Sequence, residues 1–356
     1  MNLTRLFIFL ANILLFIEFV LKKSGLLRLF LLRHRDLEVS SLKDFHGPAV
    51  VAVEEQSSVL TFKSPEGIPE VHLFNSRPCR RVSSVVVNVK SGLTFINGNQ
   101  ILQESSSWST NEIKKDRFDG SHLVKRFPSK VADTLEDAVI LSSQGFYHWL
   151  IEDLPRYLFL LENSLVPFRT LVYKKKPKYV SDFLNMFDIK YENSARIVFV
   201  PRLLVPGKNP ETGFPNPKDL EILRNKFLRN SLSRTERKIY ITRAYSTRSP
   251  KWESDLSSKL SQDGWEIVSA ERLSLEEQVQ VFASASQVCG IHGAGLSGVV
   301  WAEVGTRVIE IEPEFRSNCF ANLSLALNHD YHRIRSSQLS CLDIYTQVNS
   351  ISSQKA

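Results

Sequence analysis

An α/β protein made of two successive strand–helix series is what this 356-residue sequence predicts. Three observations lead there. From Ala138 onward, apolar runs of strand length alternate with longer amphipathic runs, the signature of parallel sheets with covering helices. A proline-rich stretch from Pro201 to Pro217 interrupts that alternation and divides it in two. Late in the chain, residues 286–312 read as strand, glycine-rich turn, helix and strand, a layout suited to nucleotide phosphates.

The first segment, 1–35, has its own chemistry. Residues 6–21 are apolar at every position except Asn12 and Glu18. A full membrane span needs about 20 such residues, and a carboxylate near the bilayer centre is costly, so a membrane-surface anchor is expected. Basic residues are denser after the run (Lys22, Lys23, Arg28, Arg33, Arg35) than before it, where Arg5 stands, which would keep the main body on the cytoplasmic face. Residues 49–103 carry short β-patterned runs at 49–53, 83–89 and 93–96, the last followed by an Asn97-Gly98 hairpin signal. Residues 104–122 are polar and read as loop.

The first alternating series predicts strands at 139–141, 170–173 and 197–200 and helices at 146–162 and 180–187. After the proline-rich connection come helix 218–229, strand 238–242, helix 252–261, strand 265–268, helix 275–284 and strand 287–291. The glycine turn with its helix, strand 307–311 and a helix near 317–327 complete the series. Domains are therefore expected at 36–215 and 216–340, with a tail at 341–356.

With 43% hydrophobic residues and a net charge of +7, the chain is globular. No basic–aromatic RNA module or zinc finger is present, so nucleic acid is not expected as a partner. Cys79, Cys289, Cys319 and Cys341 are scattered without a CxxC pair, which argues against structural zinc and a disulfide framework and favours a reducing compartment.

Three constellations could carry chemistry. The turn Gly293-Ala294-Gly295-Leu296 lets the backbone approach a ligand, and a helix beginning near Leu296 would aim amide groups at an anion. Glu310 and Glu312, 17 and 19 residues after Gly293, close the next strand, where a carboxylate can accept ribose hydroxyls. The run to Gly298 also fits GxGxxG, so an NAD(P)-dependent oxidoreductase is a competing reading, although such a motif normally opens a dinucleotide domain rather than closing one. Second, the strand ending at Thr242 runs into Arg243 and Arg248, two guanidinium forks suited to a diphosphate. Third, His148, Glu152 and Arg156 recur at helical spacing away from an apolar stripe, and a His with a carboxylate one turn on can act as a polarised base.

Together these segments resemble glycosyltransferase family 61. Phe146 to Arg156 is similar to the family's aromatic-His-Trp helix start with acidic residues and Leu-Pro-Arg. Arg243 and Arg248 fit its paired arginines, Leu273 to Gln278 its Leu-Ser-x-x-Glu-Gln run, and His292 to Leu296 with Glu310 to Pro313 its final motif. The match spans about 138–315. Where many relatives have Asn before the Glu of the following helix, this chain has Trp252 before Glu253.

The resemblance implies a GT-B-like architecture, two Rossmann-like domains facing a cleft, and inverting transfer from a nucleotide sugar with no metal or other cofactor. On that expectation Arg243, Arg248, His292 and the amides of Gly293, Ala294, Gly295 and Leu296 bind the donor diphosphate. Glu310 or Glu312 holds a hydroxyl, and His148 in the first domain is the base with Glu152 or Asp153 orienting it, or the reverse. The acceptor would be a glycan or lipid-linked saccharide, as in capsular or cell-surface polysaccharide synthesis at the cytoplasmic membrane face. A type II protein of the secretory lumen is the alternative location. A non-catalytic nucleotide-sugar-binding protein is the alternative function.

Overall fold

A computed structural model describes residues 79–96, 145–163, 167–207, 213–228, 235–246, 249–314 and 317–354, together with short strands between 38 and 142. The expectations for 6–21, 49–53, 97–98 and 104–122 lie outside the described residues. Among those described, no helix is long and apolar enough to cross a membrane.

The strands, in chain order, are β1 (Glu38–Ser40), β2 (Val59–Phe62), β3 (Val71–Phe74), β4 (Cys79–Asn88), β5 (Thr94–Ile96), β6 (Gln100–Leu102), β7 (Lys130–Val131) and β8 (Asp137–Leu141). Helix α1 (Leu154–Asn163), β9 (Phe168–Tyr173), α2 (Lys178–Met186), β10 (Tyr191–Ser194) and β11 (Ile197–Pro206) follow. Then come α3 (Pro217–Phe227), β12 (Arg237–Ile241), α4 (Glu253–Gln262), β13 (Glu266–Val268) and α5 (Leu275–Ala283). The last elements are β14 (Ala285–Ile291), β15 (Arg307–Glu312), α6 (Cys319–Ala326), β16 (Asp330–Arg335) and α7 (Cys341–Ser352).

The chain divides into two compact units. One comprises 1–55, 76–144 and 156–210, the other 56–75, 145–155 and 211–356. The first unit carries a nine-stranded sheet, order β1-β6-β5-β4-β11-β8-β9-β10 with β7 beside β11. Its strands β8, β9 and β10 are parallel, but β4 runs antiparallel to both β11 and β5. The sheet is thus mixed, not the parallel sheet expected. The cause is local: β4, β5 and β6 follow one another through connections too short for a crossover helix. The expected proline-rich connection also starts later, because Pro201 lies inside β11, which continues to Pro206.

Valines alternate along β4 and β11, so Val85, Val87, Val198 and Val200 share one buried cluster. The polar alternates are used as well. Asp137, with a side chain 1% exposed, accepts from Arg81 Nε at 2.7 Å and Nη2 at 2.6 Å, and from Arg202 Nε at 3.0 Å. Burial alone would raise the Asp137 pKa; the two guanidinium groups outweigh it and hold the carboxyl below its ordinary value.

In the second unit five parallel strands run in the order β13-β12-β14-β15-β16. Read by chain position, this is the 2-1-3-4-5 order of a doubly wound sheet, whose direction of winding reverses between β12 and β14. Tyr240, Cys289, Ile309 and Ile311 pack beneath α4 and α7 through Leu256, Leu260, Ile344 and Val348. Helix starts are written into the sequence. Asn216 caps α3 ahead of Pro217, and Ser274 with Glu277 and Ser340 with Asp343 form reciprocal capping boxes for α5 and α7.

The segment 145–155 belongs to this second unit rather than to the first, where the expected boundary at 215 had put it. Its helix is not α-helical throughout. Residues His148–Asp153 form a π-helix, closed by the Leu154 amide on Trp149 O, and only then does α1 begin. Pro155 supplies the reason: its ring crowds the carbonyl one turn back and it offers no N–H, so the chain widens there.

Candidate active site

Parallel α/β sheets bind ligands beyond the carboxyl ends of their strands, at the point where winding reverses. Here that point lies between β12 and β14. Arg243 follows the first and His292 to Gly295 the second. Arg243 Nη1 donates to His292 O at 2.6 Å and Nη2 to Ser246 Oγ at 3.3 Å. The guanidinium lies so close over the turn that a Cβ on Gly293 would come within 3.2 Å of Nη1. Glycine is needed there for that approach and not for its dihedrals, since its φ of 166° is ordinary extended backbone.

The other two glycines answer to packing. A Cβ at Gly295 would meet Ile241 Cγ2 at 2.9 Å, and one at Gly298 would sit inside the Phe282 ring at 2.2 Å. The GxGxxG spacing therefore follows from seating a helix on β12 and α5. The helix is of the tighter 3-10 type, Ala294–Trp301, and starts before the expected Leu296. Leu296 N–H donates to Gly293 O at 2.9 Å, which removes that amide from the expected anion cradle. In such a helix the amides of Ala294 and Gly295, ahead of the first internal bond, have no acceptor within it. Arg224 secures the far end, donating from Nη1 to Val300 O at 2.6 Å and Ala302 O at 2.7 Å.

The loop that carries Arg243 is fixed by Glu253, which the sequence had not marked as a site residue. Its Oε1 accepts from Thr242 Oγ1 at 2.5 Å and the Arg243 amide at 2.7 Å, and its Oε2 from Ser249 Oγ at 2.8 Å. Its position just after Trp252 in the family-like motif was the available signal. Arg248 lies outside the described residues.

Glu310 and Glu312, expected to hold a ligand hydroxyl, are both buried among protein groups. β15 is buried along its length, with Glu310 at 0% and Glu312 at 2% exposure. Glu310 Oε1 bonds His292 Nδ1, and Oε2 accepts from the Tyr331 hydroxyl. Arg333 donates from Nε to Tyr331 Oη at 2.9 Å and from Nη1 to Asn318 Oδ1 at 3.0 Å. Its nitrogens also lie 3.7 Å from Glu310 Oε2 and 3.8 Å from Glu312 Oε2. Burial, and then the charge of Glu310, push the Tyr331 hydroxyl far above its ordinary pKa, so it stays a donor. Ligand atoms of His292, Glu310 and Glu312 lie within 4.8 Å of one another, a spacing that could hold a cation. Arg333 already stands beside both carboxylates, and its charge opposes one.

On the π-helix, His148 Nδ1 is 2.8 Å from Glu152 Oε2, and Glu152 Oε1 accepts the Gly213 amide at 2.8 Å. Gly213 holds a left-handed φ of 85°, and Asn322 Nδ2 ties its carbonyl at 3.0 Å. The Glu152 side chain is 9% exposed and that of His148 34%. Asp153 is buried at 8%. Arg156, expected on the same face, is assigned to the first unit and donates to Pro206 O at 2.5 Å. The two histidines are joined through rings. Tyr147 stands edge-on to His148 at 5.6 Å and to Phe320 at 5.4 Å, and Phe320 is edge-on to His292 at 5.2 Å. Burial, with Cys319, Glu152 and Glu310 nearby, raises the Tyr147 hydroxyl well above its ordinary range.

Compared with known families, residues 146–309 match the family model described as Glycosyltransferase 61. That match supports glycosyltransferase family 61 for residues 146–309. The matched stretch opens two residues before His148, contains Arg243, Glu253 and the glycine turn, and closes one residue before Glu310. No curated protein matches the chain. The matched family indicates a glycosyltransferase and implies, in general terms, a nucleotide-sugar donor and a glycan acceptor. It also sets aside the oxidoreductase reading, whose one support was a glycine spacing that packing explains.

Proposed function

We propose that this protein transfers a sugar from a nucleotide sugar to an acceptor hydroxyl with inversion and without a metal. The donor diphosphate would lie on Arg243 and the amides of Ala294 and Gly295. The observation that carries this reading is the Arg243 guanidinium, fixed against Gly293 where the sheet reverses its winding. A guanidinium and oriented amides offset charge on a leaving diphosphate, the role a divalent ion has elsewhere.

His148 is the base in this reading. Glu152 is held on one oxygen by His148 and on the other by the Gly213 amide, which suits an orienting carboxylate better than a proton acceptor. With Nδ1 engaged, Nε2 takes the acceptor proton as the hydroxyl oxygen attacks the anomeric carbon. The sugar–phosphate bond breaks on the opposite side and the nucleoside diphosphate leaves. His292, braced by Glu310, Tyr331 and Arg333, borders the diphosphate rather than the acceptor. The GT-B arrangement belongs to the same reading, supported by the doubly wound sheet of the second unit. Attachment to a membrane surface through 1–35 is supported by the apolar run and the basic residues after it, and a glycan as acceptor, here taken as a cell-surface one, by the family match in general terms.

The test is binding and turnover in parallel. Arg243→Ala should weaken nucleoside-diphosphate affinity about 10- to 100-fold, the worth of a charge-assisted contact. His148→Ala should leave that affinity intact and lower kcat about 100- to 10,000-fold. Unchanged affinity in the first variant, or normal turnover in the second, removes that residue from its role. Donor binding with no transfer or hydrolysis under any condition would favour a non-catalytic binding protein.

A further inference from the structure

Tyr245 is a large aromatic side chain that the fold leaves 60% exposed, two residues beyond Arg243. It is nevertheless held in place. Its turn is closed by the Ser246 amide on Arg243 O at 2.8 Å, and Glu253 grips the Arg243 amide just upstream. The Arg272 guanidinium lies over the ring, 4.0 Å from its centroid. Arg272 ends the short 3-10 helix Ala270–Arg272 that follows β13, so it reaches Tyr245 from the neighbouring strand at the same carboxyl edge. With one ring face covered by Arg272 and the residue still largely exposed, the opposite face is open to solvent.

We propose that Tyr245, backed by Arg272, is the stacking platform for the nucleobase of the donor, an inference that rests on the diphosphate reading above. Position is the first reason. Strands lie about 4.8 Å apart, so the ends of β13 and β14 are about 10 Å apart with Arg243 between them, the reach of a ribose joined to two phosphates. Chemistry is the second. A ring already stacked on a guanidinium offers its free face to any base, and the cation adds attraction for an anionic nucleotide. The platform would also take over nucleoside recognition from Glu310 and Glu312, which are buried and bonded to or paired with protein groups.

Calorimetric titration of the intact protein with inorganic pyrophosphate, and with uracil, cytosine, adenine and guanine nucleoside diphosphates, tests this. In the wild type at least one nucleoside diphosphate should bind more tightly than pyrophosphate. Tyr245→Ala should cost that ligand about 10-fold in affinity and leave pyrophosphate unchanged, with Tyr245→Phe within about 2-fold of wild type. Arg272→Ala should lower nucleoside-diphosphate affinity more than pyrophosphate affinity. Equal losses for both ligands in Tyr245→Ala, or none for either, overturn the platform. A wild type that binds pyrophosphate but gains nothing from a base also overturns it, while leaving the diphosphate site standing. A wild type that binds neither ligand removes the diphosphate reading and the platform with it.

Discussion

Gly298 and Arg243 show how differently single residues earn their places at this site. Gly298 is required by packing, because the Phe282 ring occupies the space a side chain would need. Gly298→Ala should therefore destabilise the protein by about 1–3 kcal/mol, seen as a lower chemical-denaturation midpoint. Gly145→Ala, with nothing within 4 Å of the added methyl, should leave the stability within about 0.5 kcal/mol of wild type. At this scale the sequence was a partial guide. The pairing of His148 with Glu152 could be read from their spacing, because both lie on one helical segment. The commitment of Glu310 to His292 and Tyr331 could not, because their separations of 18 and 21 residues acquire meaning only once β14, β15 and β16 are neighbours.

Among the elements, the π-helix and the Arg243 loop carry most of the functional consequence. Pro155 accounts for the wide turn, so Pro155→Ala should let α-helical bonding extend backward. The expected outcome is equal or higher stability together with lower turnover, since His148 and Glu152 would turn relative to each other; thermal melting and kcat measured on one preparation check it. Glu253→Gln keeps an oxygen acceptor but loses the charge gripping three donors. It should weaken nucleoside-diphosphate binding several-fold and lower stability by about 1–3 kcal/mol. A loss of stability with affinity unchanged would reduce Glu253 to a structural role. Capping residues mark the starts of α3, α5 and α7, whereas the helix type at 148–153 and 294–301 depended on a proline and on close packing that periodicity does not register.

For the whole molecule, pH dependence follows from Asp137. Its folded pKa is depressed by Arg81 and Arg202, so its contribution is fully present above the unfolded value near 3.9 and is lost as pH falls through the folded value. Acid unfolding of the wild type should thus steepen below about pH 4. Asp137→Asn should flatten that part of the profile and lower stability near neutrality by about 2 kcal/mol, both measurable by denaturant titration across pH.

The sequence by itself determined the strand–helix alternation after residue 138, the capped starts of α3, α5 and α7, and the glycine turn after β14. These are properties of neighbouring residues, set by side-chain period, capping and turn chemistry. Only the tertiary structure decided that β4 runs antiparallel to β11, that 145–155 joins the second unit, and that Glu310 and Glu312 lie buried. Those outcomes depend on which strands become neighbours, and strand order is fixed by packing and hydrogen bonding between segments far apart in the chain.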